Sequence, residues 1–134
     1  MASDEVARGP FEEREPTVAG DASARDDPFF GRMNDPTASA FARGLCGDEM
    51  EFYLDIRDGA IREARYYTEG CDDTRRCGRA VAMAAQGKAL WDVLAISPRQ
   101  IMDADTSLTE GSRHCAILAV ITLYRAVADF LIKP

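Results

Sequence analysis

From Met50 the chain alternates: Met50, Phe52, Leu54 and Ile56 are apolar, and Glu51, Asp55 and Arg57 between them are charged. A period of two predicts a half-buried strand over residues 50–57. Asp58-Gly59 is a turn pair, and a second strand is expected over 61–68. A two-residue loop with an unbroken ladder would set Leu54 against Glu63. Shifting by one residue sets Leu54 against Ala64, Phe52 against Tyr66 and Met50 against Thr68. Register follows the buried face, so the shifted pairing is expected, with a three-residue loop or a bulge absorbing the extra residue.

Beyond Thr68 the apolar period becomes helical. Asp72, Asp73 and Thr74 are capping-type residues before a helix that reaches Gln86 and is closed by Gly87. Its expected inner face, Cys77, Val81, Ala84 and Ala85, is small enough for close approach to the sheet. Leu90 to Leu94 suggests a short helix, and Ser97-Pro98 reads as a cap plus first-turn proline opening another. From Ser112 or Arg113 runs the longest helix, whose expected inward stripe is Ile117, Leu118, Ile121, Tyr124, Val127, Ala128 and Leu131. Phe52, Tyr66, Tyr67 and Trp91 read as core or near-core aromatics. A hairpin followed by helices predicts an α+β fold: a small antiparallel sheet (50–57 and 61–68 plus a third short strand), helices packed on one face, and a long C-terminal helix.

The chain has 134 residues, enough for one domain with one core. Residues 1–27 carry eight acids against three bases and few large apolar side chains, so they read as a disordered acidic tail before a domain at 28–134. The net charge of −7 argues against nucleic-acid and anionic-membrane partners, which need clustered positive charge. The longest apolar run, Cys115 to Ile121, is short for a bilayer span, and Met1-Ala2-Ser3-Asp4-Glu5 lacks the apolar core of a signal peptide. A cytoplasmic location is expected, with thiols kept reduced. Four cysteines there point to metal or redox chemistry rather than a disulfide framework.

Three of the four sit beside turn-forming or metal-capable neighbours: Cys46 in Gly44-Leu45-Cys46-Gly47-Asp48, Cys71 after Glu69-Gly70, and Cys115 after Arg113-His114. With 24 and then 43 residues between them, only the fold can assemble a shared site. Cys46 and Asp48, at i and i+2 of a segment read as extended, can project to one side. Cys71 lies just past the second strand, and Cys115 falls in the first turn of the long helix, where the macrodipole favours thiolate. Arg75 and Arg76 read as facing water. Thiolates suit zinc and iron–sulfur clusters, and Asp48 and His114 add harder donors.

The strings Gly44-Leu45-Cys46-Gly47-Asp48-Glu49-Met50, Ile61 through Cys71, and His114-Cys115-Ala116-Ile117-Leu118-Ala119 resemble the IscU / NifU N-terminal family of iron–sulfur cluster assembly scaffolds. The resemblance runs from about Pro28 to Lys133. It implies a scaffold without turnover of its own, holding a transient [2Fe-2S] cluster built with sulfur from a cysteine desulfurase and passed to apo iron–sulfur acceptor proteins. It also implies that Cys46, Cys71 and Cys115 are the cluster or persulfide thiols, that Asp48 keeps the cluster labile, and that His114 is an alternative or neighbouring ligand. An oxygen donor is a poorer match for such a cluster than a fourth thiolate, which favours release. Without iron the same donors would make a tetrahedral Zn2+ site.

Two positions depart from the family. The Leu-Pro-Pro-Val-Lys loop read by a dedicated heat-shock chaperone is replaced by Leu108-Thr109-Glu110-Gly111-Ser112-Arg113, which leaves that chaperone without its motif. Cys77 stands where better-known scaffolds have a small residue, and reads as core packing or as an extra thiol. The alternatives are a zinc-bound persulfide acceptor of the SufU type, in which the last cysteine usually follows Lys, and a dithiol redox module using Cys71 and Cys77. A monomer and a homodimer sharing a cluster are both open.

Overall fold

The computed structural model describes residues 27–134. Three strands form an antiparallel sheet in the order β1 (Ala38–Arg43), β2 (Glu49–Arg57), β3 (Ala60–Tyr67). The alternation along β2 does what its period dictates, and Met50, Phe52, Leu54 and Ile56 all face the core. Phe52 pairs with Tyr66 and Leu54 with Ala64, the shifted register. A bulge, not a longer loop, absorbs the extra residue. Asp58 and Gly59 both have positive φ in a two-residue turn, while Asp55 pairs with Glu63 and Ile56 with Ile61, so Arg62 is passed over.

β1 is the third short strand, paired along β2 with Ala38 opposite Leu54 and Ala42 opposite Met50. Its buried residues are alanines, too small to announce a strand by hydrophobic pattern.

Helix α1 (Asp72–Ala85) lies on β3 through a small face of Thr74, Cys77, Gly78, Val81, Ala82 and Ala85. A Cβ on Gly78 would stand 2.6 Å from the Tyr66 ring, so this crossing requires glycine. The Tyr66 hydroxyl donates to Asp27, 2.7 Å away, and burial with that hydrogen bond raises the tyrosine's pKa. The expected tail otherwise lies outside the described residues; Asp27, assigned to it, is buried and belongs to the fold.

A 3-10 turn (Leu90–Ala95) and helix α2 (Pro98–Ala104) follow; the Ser97 hydroxyl accepts from the N–H of Gln100, as a capping serine should. The turn buries Leu90 and Val93 and leaves Trp91 66% exposed, correcting its assignment to the core.

After a second 3-10 turn (Glu110–Ser112), helix α3 (Arg113–Ile132) packs along β1 and β2 and against α1. By length and composition Glu110–Ile132 could cross a membrane, yet half of its most apolar window is buried inside the domain. The inward stripe differs from expectation. Cys115, Ala116, Leu118, Ala119, Val120, Thr122, Leu123, Ala126 and Val127 are buried, whereas Ile117, Ile121, Ala128 and Leu131 face outward. Polar anchoring explains the rotation. Asp129 accepts the Ser39 N–H at 3.1 Å, and Lys133 donates to the Thr37 carbonyl at 2.9 Å, so a polar row at i and i+4 serves open backbone of β1 and of the residue just before it.

Candidate metal centre

Three element starts meet at one end of the sheet: the start of β2 with Asp48, the start of α1 with Cys71, and the start of α3 with Cys115. The two helix starts are tied by a hydrogen bond from the Ser112 hydroxyl to Asp73.

Cys46 lies in the turn joining β1 to β2. The Gly47 N–H donates to the Gly44 carbonyl at 3.1 Å and the Gly44 N–H to the Asp48 carbonyl at 2.8 Å. The expected extended segment is therefore a tight turn, made possible by Gly47 at φ 92°. Cys46 is exposed at its tip, and Asp48 turns back toward α1. Cys71 is the N-cap residue of α1, also exposed, and its N–H donates to the Asp48 carboxylate at 3.4 Å. Gly70 permits the approach, since a Cβ there would stand 2.6 Å from an Asp48 oxygen.

The group that joins these donors is Thr74, one turn into α1 and fully buried. Its hydroxyl lies 2.6 Å from the Asp48 carboxylate, 3.4 Å from the Cys71 sulfur and 3.4 Å from the Cys115 sulfur. The sequence marks Thr74 only as a capping-type residue; the Cys-x-x-Thr spacing across a helix start was the available signal. As placed, no group of three or more His, Cys, Asp or Glu side chains among the described residues converges tightly enough to hold a metal ion. The Thr74 hydroxyl stands among Asp48, Cys71 and Cys115 instead.

Electrostatics follow from these contacts. The Thr74 hydrogen bond, chiefly, holds the Asp48 carboxyl below its ordinary range, helped by the Cys71 N–H and by the Cys71 and Cys46 thiols. Cys115 goes the other way. Burial pushes its thiol up, against the Thr74 hydroxyl, which lowers it, so the pull expected from the helix start does not prevail. Among the described residues His114, half-buried beside Cys115, shares no hydrogen bond with the cluster.

Cys77 stands apart. It has no exposed surface, and burial above all pushes its thiol up to about 12. Six residues of helix place it about 9 Å along the axis from Cys71, beyond the roughly 7 Å that a disulfide spans. A Cys71–Cys77 bridge would require unwinding α1. Arg75 and Arg76 do not simply face water: Arg75 lies over the Phe30 ring, and Arg76 pairs with Asp105.

Three thiols and one carboxylate are a donor set for a thiophilic ion or an iron–sulfur cluster. Known proteins are similar to this chain in sequence and in fold. The family model described as the NifU-like N terminal domain matches residues 14–134. The iron-sulfur cluster assembly scaffold protein IscU 1 of Archaeoglobus fulgidus is 29% identical over 89 residues, 66% of this chain and 58% of that protein. The chain thus matches less than two thirds of that relative's length. The iron-sulfur cluster assembly scaffold protein IscU of Escherichia coli K12 is 33% identical over 89 residues, 66% of this chain and 69% of that protein. A crystal structure of a nitrogen-fixing NifU-like protein (N-terminal) from Brucella abortus superposes with a TM-score of 0.60 at 17% identity, covering 83% of this chain and 90% of that one, which shows a common fold.

Proposed function

The chain belongs to the NifU-like N-terminal domain family, and from that premise we propose that it is a scaffold for assembling a [2Fe-2S] cluster. Iron and desulfurase-derived sulfur are the cargo, and apo iron–sulfur proteins receive the product. The observation that carries this reading is the single Thr74 hydroxyl in reach of Asp48, Cys71 and Cys115, which gathers donors from three distant stretches at one edge of the fold.

Each residue has a role that follows from its place. Cys46 and Cys71 are exposed on a turn and a helix cap, so a partner's persulfide can reach them. Sulfane sulfur passes to the attacking thiolate as the partner's thiolate leaves, and an external electron donor reduces it to sulfide before it bridges two irons. Cys115 supplies the inner thiolate. Asp48, held ionised by its hydrogen bonds, supplies an oxygen donor and keeps the site weaker than a four-thiolate one. His114, in the first turn of α3, is the alternative donor that the family implies.

Anaerobic reconstitution with ferrous iron, cysteine and a cysteine desulfurase tests the proposal. A [2Fe-2S] absorption spectrum, lost in Cys46→Ser, Cys71→Ser or Cys115→Ser, is expected. Stoichiometric zinc that iron does not displace, with stimulation of the desulfurase and no cluster, would replace the proposal with the zinc-bound sulfur acceptor.

A further inference from the structure

We propose that the Thr74 hydroxyl is a displaceable latch that competes with an incoming metal ion for Asp48, and so sets how tightly the site holds its cargo. This rests on reading Asp48, Cys71 and Cys115 as donors to one site.

A hydroxyl has one proton to give. At 2.6 Å from Asp48 and 3.4 Å from each sulfur, that proton belongs to the carboxylate in a charge-assisted hydrogen bond. The same oxygen lies within 3.4 Å of all three donors, so an ion drawn to Cys71 and Cys115 meets an Asp48 carboxylate already engaged by the Thr74 hydroxyl.

Thr74 is fully buried, and water cannot take over its hydrogen bond in place. A helical threonine has another acceptor, because turning about χ1 brings its oxygen to a carbonyl one turn back, here that of the N-cap Cys71. The latch can therefore open without stranding a polar group. The exchange replaces a charge-assisted hydrogen bond with a neutral one, so every ion that binds works against that difference.

Thr74 is thus a positioning residue: closed, it holds Asp48 over the start of α1, and on metal release it recaptures the carboxylate. Alanine is a strong helix former, so Thr74→Ala preserves α1 while deleting the latch.

The test is a zinc(II) titration of the full, reduced chain against a chromophoric chelator. Thr74→Ala should bind zinc about tenfold more tightly, the difference expected between a charge-assisted and a neutral hydrogen bond. Thr74→Ser, which keeps the hydroxyl, should stay within about threefold of the parent chain on the same reasoning. In an Asp48→Ala background, Thr74→Ala should change nothing. Mere loosening of the core would lower affinity, the opposite sign. Unchanged or weaker zinc binding by Thr74→Ala, or tightening that persists without Asp48, overturns the latch. If Cys71→Ser and Cys115→Ser leave zinc affinity untouched, the shared site itself is wrong and the latch falls with it. If both weaken binding while Thr74→Ala does not tighten it, only the latch fails.

Discussion

Helices α1 and α3 both begin at the candidate site and each brings a cysteine to it, yet they are oriented by different forces. On α1 the small residues form one face with charged residues opposite, and that face meets β3. Period alone fixes its rotation. On α3 apolar residues occur nearly all round, so period leaves several rotations open. The choice falls to Asp129 and Lys133, which bond to the backbone of Ser39 in β1 and of Thr37 just before it. A helix with one apolar face is oriented by burial, and one with several is oriented by the few polar groups that must find partners.

The sharpest way to break that comparison is to label the cysteines of α1. Cys71 at its cap should react with iodoacetamide at pH 8 at least ~1000-fold faster than Cys77, whose labelling must wait for opening of the fold. Quantitative mass spectrometry reads both sites. Comparable rates would mean that the inner face of α1 is not buried. The sign with pH is also fixed. Burial holds the folded Cys77 thiol up at about 12, so its stabilising contribution is complete below the unfolded thiol's pKa of about 8.5 and fades as pH climbs toward the folded value. Urea midpoints of the parent chain should fall with rising pH across this window, and fall less in Cys77→Ala.

A second pair of substitutions tests α3. Leu123 is fully buried and Ile121 is 40% exposed, although Ile121 belongs to the stripe the sequence suggests. Leu123→Ala should cost about 2–5 kcal/mol in chemical unfolding, and Ile121→Ala less than about 1 kcal/mol. The reverse order would restore the sequence-derived stripe. The smallest effect expected is that of the anchor: Asp129→Ala should lower stability by about 1 kcal/mol by freeing the Ser39 N–H. Amide exchange at Ser39 should quicken in that variant; an unchanged rate would remove the anchor as the cause of the rotation.

Much of this was legible in the chain. The hairpin register followed from keeping Phe52 and Leu54 on the core side, and the extra residue had to go somewhere, though the ladder alone could not distinguish a bulge at Arg62 from a longer loop. The cysteines and Asp48 could be picked out by their neighbours. The segment around Cys46 reads as extended in sequence, whereas Gly47, free of a Cβ, takes positive φ and closes it into a turn. Trp91 reads as core from its type, but a short 3-10 turn buries only Leu90 and Val93 and leaves no third inward position for a large ring.

By itself, then, the sequence determined what depends on near neighbours: the alternation of β2, the Asp58-Gly59 turn, the small face of α1, and the placing of three cysteines at the ends of elements. The tertiary structure decided what depends on distant partners. It set the rotation of α3 through a bond to β1, and put the Thr74 hydroxyl among Asp48, Cys71 and Cys115. The physical reason is range: hydrophobic period and turn preference act over a few residues, whereas a hydrogen bond between groups 26 or 41 positions apart exists only after the chain has packed.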